Sequence, residues 1–284
     1  MSGIALLLSL TTTLFGYIQP ETVSRPVQPV NFTPAEKSIQ HKLGDKTVFL
    51  KISQYGSSFK NCCVNLHDDE STAVQAARAI LEQKGGILIR IENNGQRLVT
   101  FAFRGVPYTF DPNRIFSRKG IELTLKSKGR ITAEVVTEVE KFATKILQQI
   151  PDTATCIIAL HNNTDGDYSV KTYQPGGNRQ ADAKRVYADS WQDIDDITLT
   201  TDETLFTRMS GFGYNSILQD NMKVLKDGSL SVYYGEQNKR YINIETQHGK
   251  TGQYKEMLSK LLYVLDEEKK PAKEENSVSV DIDY

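Results

Sequence analysis

FKNCCVNLHDDE, residues 59–70, runs from an apolar stretch straight into four polar, ionisable side chains. The short apolar run Phe59 to Leu66 reads as a buried strand. Ser71 can cap the helix that follows, Thr72 to Gln83, whose Ala73, Val74, Ala77, Ile80 and Leu81 share one apolar face. Gly85 and Gly86 stop it. Working outward, Thr47 to Ile52 reads as a preceding strand, and Ile87 to Glu92 and Leu98 to Phe103 flank Asn93-Asn94-Gly95, a hairpin turn signal. Thr132 to Gln149 is a long amphipathic helix with Pro151 behind it. Thr155 to Leu160 is an apolar strand ending at His161, Tyr241 to Ile244 another ending at Glu245, and Gly252 to Leu265 a closing helix. Strands mixed with helices predict an α/β fold, a mixed β-sheet sandwiched between helices.

The ends differ from this middle. Ile4 to Ile18 is mostly apolar and uncharged but too short for a comfortable membrane span, which needs ~20 residues. It resembles the apolar part of a secretory signal, although a basic start and a small-x-small cleavage site are missing. A buried N-terminal element is the other reading. The expectation is a signal or anchor over residues 1–19 and an exported chain, in contact with membrane only through that segment. Pro20, Pro26, Pro29 and Pro34 make residues 20–45 a linker. Residues 46–266 form the domain, and the charged, apolar-poor stretch 267–284 reads as a disordered tail.

Composition narrows the function. The chain has 284 residues, 39% of them hydrophobic, and a formal net charge of -1. That removes the electrostatic reason to expect nucleic acid as a partner. Cys62, Cys63 and Cys156 are an odd set, and adjacent strand residues point to opposite faces, so no disulfide framework is expected.

The chemistry-bearing residues fall at strand ends. His67, His161 and Glu245 each follow a buried strand, where open α/β sheets gather their sites. His67 and Glu70, spaced i, i+3 on the turn into a helix, can reach one metal ion. Taken alone, that pair equally suits a solvated helix start, with Asp68, Asp69 and Glu70 at the positive end of the helix dipole. Phe110-Asp111-Pro112-Asn113-Arg114-Ile115-Phe116 adds a rigid turn with an amide and a forked guanidinium, suited to a carboxylate.

In that order, H-x-x-E, D-x-N-R, a strand-terminal His and a strand ending Ile-Glu, the chain resembles the M14 metallocarboxypeptidase superfamily over roughly Phe59 to Leu265. Its short gaps are closest to those of the aspartoacylase and succinylglutamate desuccinylase group. The resemblance implies a carboxypeptidase-like fold and a Zn2+ ion on His67, Glu70 and His161. It implies Glu245 as the catalytic base or acid, and Asn113 and Arg114 as the grip on a substrate carboxylate. The substrate would be a peptide or an N-acyl amino acid. For the arginine that polarises the scissile carbonyl, Arg104 is the nearest candidate. The substrate-side tyrosine is open among Tyr233, Tyr234 and Tyr241. His248 could be a proton shuttle or a plain loop residue. Two other readings stand beside this one. One is a non-catalytic zinc- or ligand-binding module on the same fold. The other, a serine or cysteine hydrolase, lacks any G-x-S-x-G signal.

Overall fold

In the computed structural model, residues 31–164, 166 and 168–268 are described. Eleven strands and six helices alternate along them. Nine strands make one mixed sheet in the order β1-β2-β4-β3-β7-β11-β9-β10-β8. At its centre β3 (Asn61–Asn65), β7 (Cys156–Asn163) and β11 (Tyr241–Gln247) are neighbours and parallel, with β4 (Gly86–Glu92) parallel on the far side of β3. β9 (Ile197–Thr200) pairs antiparallel to β11, then parallel to β10 (Asn215–Gln219), and β8 (Ala183–Tyr187) closes that edge antiparallel.

Every residue of β7 is buried, as expected of a strand covered on both faces. Cys156, Ile158 and Leu160 pack on one side with α1 (Ser71–Lys84), α4 (Glu203–Gly211) and α6 (Thr251–Glu267). Ile157 and Ala159 pack on the other with α2 (Arg118–Ser127), α3 (Ala133–Leu147) and α5 (Leu230–Glu236). Each fully buried aliphatic side chain contributes about 1.5–3 kcal/mol relative to exposure. Cys62 and Cys63 point into opposite cores, as period two requires, and all three thiols are free and buried. The α3 helix begins at Thr132, whose hydroxyl caps the Val135 N–H. The α1 cap differs from expectation: Glu70 occupies the position and Ser71 is the first helical residue.

Two further differences matter. Residues 34–43, assigned to the linker, form β1 (Pro34–Leu43), paired over its whole length with β2 (Lys46–Tyr55). The strands around Asn93-Asn94-Gly95 do not pair with each other. β4 already has β2 and β3 on its two edges, so β5 (Val99–Phe103) pairs instead with β6 (Val106–Phe110) in a separate ribbon. The turn of that ribbon is Arg104-Gly105, both left-handed at φ 51° and 77°. The proposed signal segment and most of the charged tail lie outside the described residues, although α6 extends through Glu267.

Candidate metal and substrate site

The three central parallel strands deliver the site to one edge of the sheet. His161 of β7 and Glu245 of β11 are register partners, and His67 follows β3 by two residues. Side chains alternate along a strand. Tyr241 lies in the same core as Ile157 and Ala159, so Asn243 and Glu245 share its face, and all three line one cavity of about 450 Å³.

His67, Glu70 and His161 converge there, each almost wholly buried. One ligand atom from each lies within 4.8 Å of the others. Glu70 Oε1 is 2.9 Å from His67 Nδ1, Glu70 Oε2 is 3.0 Å from His161 Nδ1, and the two imidazole nitrogens are 3.3 Å apart. Two nitrogens that close, with a carboxylate between them, need a shared proton or a cation. Burial disfavours a charged Glu70, yet the two imidazoles outweigh it and hold the carboxyl well below its usual range. Burial likewise pulls the His67 imidazolium down, but Glu70 and Asp111 outweigh it and raise its pKa to about 9. Asn65 Nδ2 and Arg97 Nη1 donate to Glu70 at 3.2 and 2.8 Å, so the buried charge is fully partnered.

The donor set fits zinc. It offers two imidazoles and one carboxylate, as catalytic zinc sites do. Asp111 Oδ1 stands 2.8 Å from His67 Nε2, an outer carboxylate placed to take the Nε2 proton, which would leave Nδ1 free for a metal. This role for Asp111 was not read from the sequence; no local pattern marks which D-x-N-R residue turns back toward a histidine. His161 Nε2 lies 3.4 Å from Asn113 Nδ2, too long to fix its tautomer firmly.

A 3-10 turn, Pro112–Arg114, shapes one wall of the cavity. The Asp111 carboxylate accepts the Asn113 N–H at 2.8 Å, and Asn113 Oδ1 accepts the Leu230 N–H at 3.1 Å. Arg114 Nη1 donates to the Asn113 carbonyl at 2.7 Å, and its Nε lies 3.5 Å from Asp227. Asn113 and Arg114 line the cavity, joined by Arg179, Tyr168 and Tyr173, which sequence reading did not single out. Burial raises the Glu245 carboxyl, with His161 offsetting part of the rise, and Asn243 Nδ2 donates to it at 3.0 Å.

Arg104 is not in the site. It sits in the β5–β6 turn, 71% exposed, paired with Glu134 at 3.0 Å. Arg97 lines the cavity instead, beside Glu70. Of the three tyrosines, Tyr241 lines the cavity, whereas Tyr233 and Tyr234 line a second cavity of about 440 Å³. His248 is an exposed loop residue at the cavity rim. His41 lies on β1 against Phe142, away from the site.

No family model and no curated protein matches the chain. Solved structures are similar at a distance. An aspartoacylase family protein from Mesorhizobium loti shares 12% identity at TM-score 0.42, covering 85% of this chain and 69% of its own. A succinylglutamate desuccinylase from Silicibacter shares 12% at 0.39, covering 87% and 71%. Thrombin activatable fibrinolysis inhibitor shares 10% at 0.42, covering 84% and 68%. At TM-scores below 0.5 such likeness carries no weight for chemistry, which has to follow from the site's own geometry.

Proposed function

We propose that this chain is a zinc-dependent hydrolase that cleaves an amide bond beside a free carboxylate, on a peptide or an N-acyl amino acid. One observation carries the reading. A buried trio of two imidazole Nδ1 atoms and a carboxylate opens into the cavity that also holds Glu245, Arg97, Asn113 and Arg114. The trio would hold the metal. When bound, zinc supplies Lewis acidity toward a carbonyl and lowers the pKa of water from ~16 to ~7. Glu245, outside the trio but on the strand beside His161, takes the water proton and delivers it to the leaving amine. Its raised pKa suits a group that must first accept and then donate. Arg97, which lines the cavity with Nη1 on Glu70, would stabilise the developing oxyanion. Asn113 and Arg114 hold the substrate carboxylate and so select the bond presented. The binding-module alternative drew its support from the want of a carbonyl-polarising arginine, and Arg97 at the cavity speaks against it.

Elemental analysis of the purified protein, beside a screen of peptides with free C-termini and N-acyl amino acids, tests the proposal. About one zinc per chain is expected, falling to a trace in His67→Ala, Glu70→Ala and His161→Ala while the fold persists. Full zinc in all three variants, or no cleavage by fully loaded wild type, overturns it.

A further inference from the structure

Among the described residues, several buried oxygens in and beside the cleft have no donor, Asp69 Oδ1 and Asn243 Oδ1 on its wall and two more at its end. Asp195 Oδ1 and Asn163 Oδ1 accept no hydrogen bond, in residues 0% and 6% exposed. Both belong to one knot. Asn163 ends β7 and Gln247 ends β11, and the two are register partners. Asn163 Nδ2 donates to the main-chain carbonyls of Asp195 at 2.7 Å and Tyr168 at 3.0 Å. That fixes the amide, because the turned-over form would set its oxygen against two carbonyls. Asp195 Oδ2 accepts from Gly166 N–H at 3.0 Å and Gln247 Nε2 at 2.8 Å, which leaves only Oδ1 bare.

Charge is also unbalanced here. Asp193, Asp195 and Asp196 are consecutive or nearly so, and Lys250 answers Asp193 at 2.6 Å and Asp196 at 3.4 Å. Among the described residues no cation pairs with Asp195. A buried carboxylate oxygen without a partner is costly, and an orphaned buried group points to an ion or a water.

We propose that Asp195 Oδ1 and Asn163 Oδ1 ligate a hard cation of the Ca2+ class, at a site separate from the His67–Glu70–His161 trio. Oxygen-only ligands select hard cations over zinc. Asn163 also lines the cleft, which gives the ion a path from solvent. A single carboxylate ligand places the affinity in the weak class, about 10⁻⁴–10⁻³ M. The bound ion ties the end of β7 to the Asp195 loop, which Gln247 at the end of β11 also holds; Asn163 and Gln247 stand two residues beyond His161 and Glu245. The competing occupant is a buried water donating to both oxygens.

Thermal unfolding of the full chain, with about 10 mM CaCl2 against the same MgCl2, tests the site. Calcium should raise Tm by about 3–6 °C over magnesium, which demands a stricter octahedron. Asp195→Asn keeps an oxygen for Gly166 and Gln247 and removes the charge, so this variant should fold and lose the response. His67→Ala should keep it. No calcium-specific rise leaves the water as occupant and overturns the proposal. So does an equal rise in Asp195→Asn, or its loss in His67→Ala. Should Asp195→Asn not fold, calorimetric titration of wild type with Ca2+ decides: about one saturable site supports the proposal, and none overturns it.

Discussion

Glu245 shows how one residue carries opposite demands. Burial raises its pKa above the usual carboxylate value. A carboxyl raised on folding stabilises the fold while protonated, and that contribution is lost as pH rises through the raised value. At neutral pH its ionisation therefore works against the metal-free fold. Glu245→Gln keeps the shape and most hydrogen bonds. It should raise the Tm of the metal-free protein at pH 7, with the gain vanishing below about pH 4.5, and lower turnover about 10²–10⁴-fold with zinc retained. Wild-type turnover in that variant would remove Glu245 as the base. Arg97 and Arg104 divide in the same plain way. Arg97→Met should cut kcat/KM by roughly 10²–10³, whereas Arg104→Met, at an exposed turn, should leave it within about twofold; steady-state kinetics on one substrate checks both. Sequence spacing pointed to Arg104, but a hairpin turn with two left-handed residues carries it outward, away from the cavity, and proximity in the chain does not register that reversal.

At the scale of elements, the cavity wall around Arg114 depends on two glycines. Gly120 at the start of α2 lies against Gly228, so that a β-carbon on Gly120 would stand 2.4 Å from the Gly228 Cα and 2.7 Å from the Arg114 carbonyl oxygen. The Phe116 N–H bonds the Gly228 carbonyl at 2.9 Å, and Asp227 next door faces Arg114. Gly120→Ala should push the loop around 227–229 away from α2 and displace Arg114, part of the proposed carboxylate grip. KM for substrates with a free carboxylate should rise about tenfold or more, while zinc content stays unchanged; an unaltered KM would show the loop absorbs the methyl. The elements legible in the sequence were those with an apolar run ending in an ionisable residue, as at Leu66-His67 and Leu160-His161. β9 and β10 were not, because Thr198, Thr200, Ser216 and Gln219 are buried polar residues that satisfy one another or the main chain, as in the 2.9 Å Thr198–Ser216 bond. They lack the apolar signature on which such reading relies.

For the whole molecule, β1 is the least expected part. It is an edge strand on which only Ile39, His41 and Leu43 alternate toward the core, a pattern too short to stand out beside four prolines. Yet it covers the full length of β2, and Ser53 donates to Glu36 at 2.9 Å. Phe32 reaches further, its ring against Gly56 and its N–H on the Glu82 carbonyl at 2.7 Å. A chain beginning at Asn31 should fold as the full chain does. One beginning at Lys46 should bare the β2 edge, lose several degrees of Tm and associate at micromolar concentration. Size-exclusion chromatography and thermal melts of the two would decide, and a monomeric, equally stable Lys46 chain would reduce β1 to ornament.

The pairing of His161 with Glu245 has a bearing on how such a molecule can change. The spacing of His161, the proposed ligand, from Glu245, the proposed base, is set by the backbone ladder, where neighbouring strands keep about 4.8 Å. A one-residue slip of either strand would turn its side chain to the other face, so the reaction centre tolerates no sliding. Arg114, Arg179, Asp227, Ser229 and Thr164, by contrast, stand on turns and connections around the same cavity. The ladder acts as a ruler that keeps the chemistry constant while the rim is rewritten. New substrate preferences in this scaffold are therefore best sought by exchanging those connections, leaving β7 and β11 untouched.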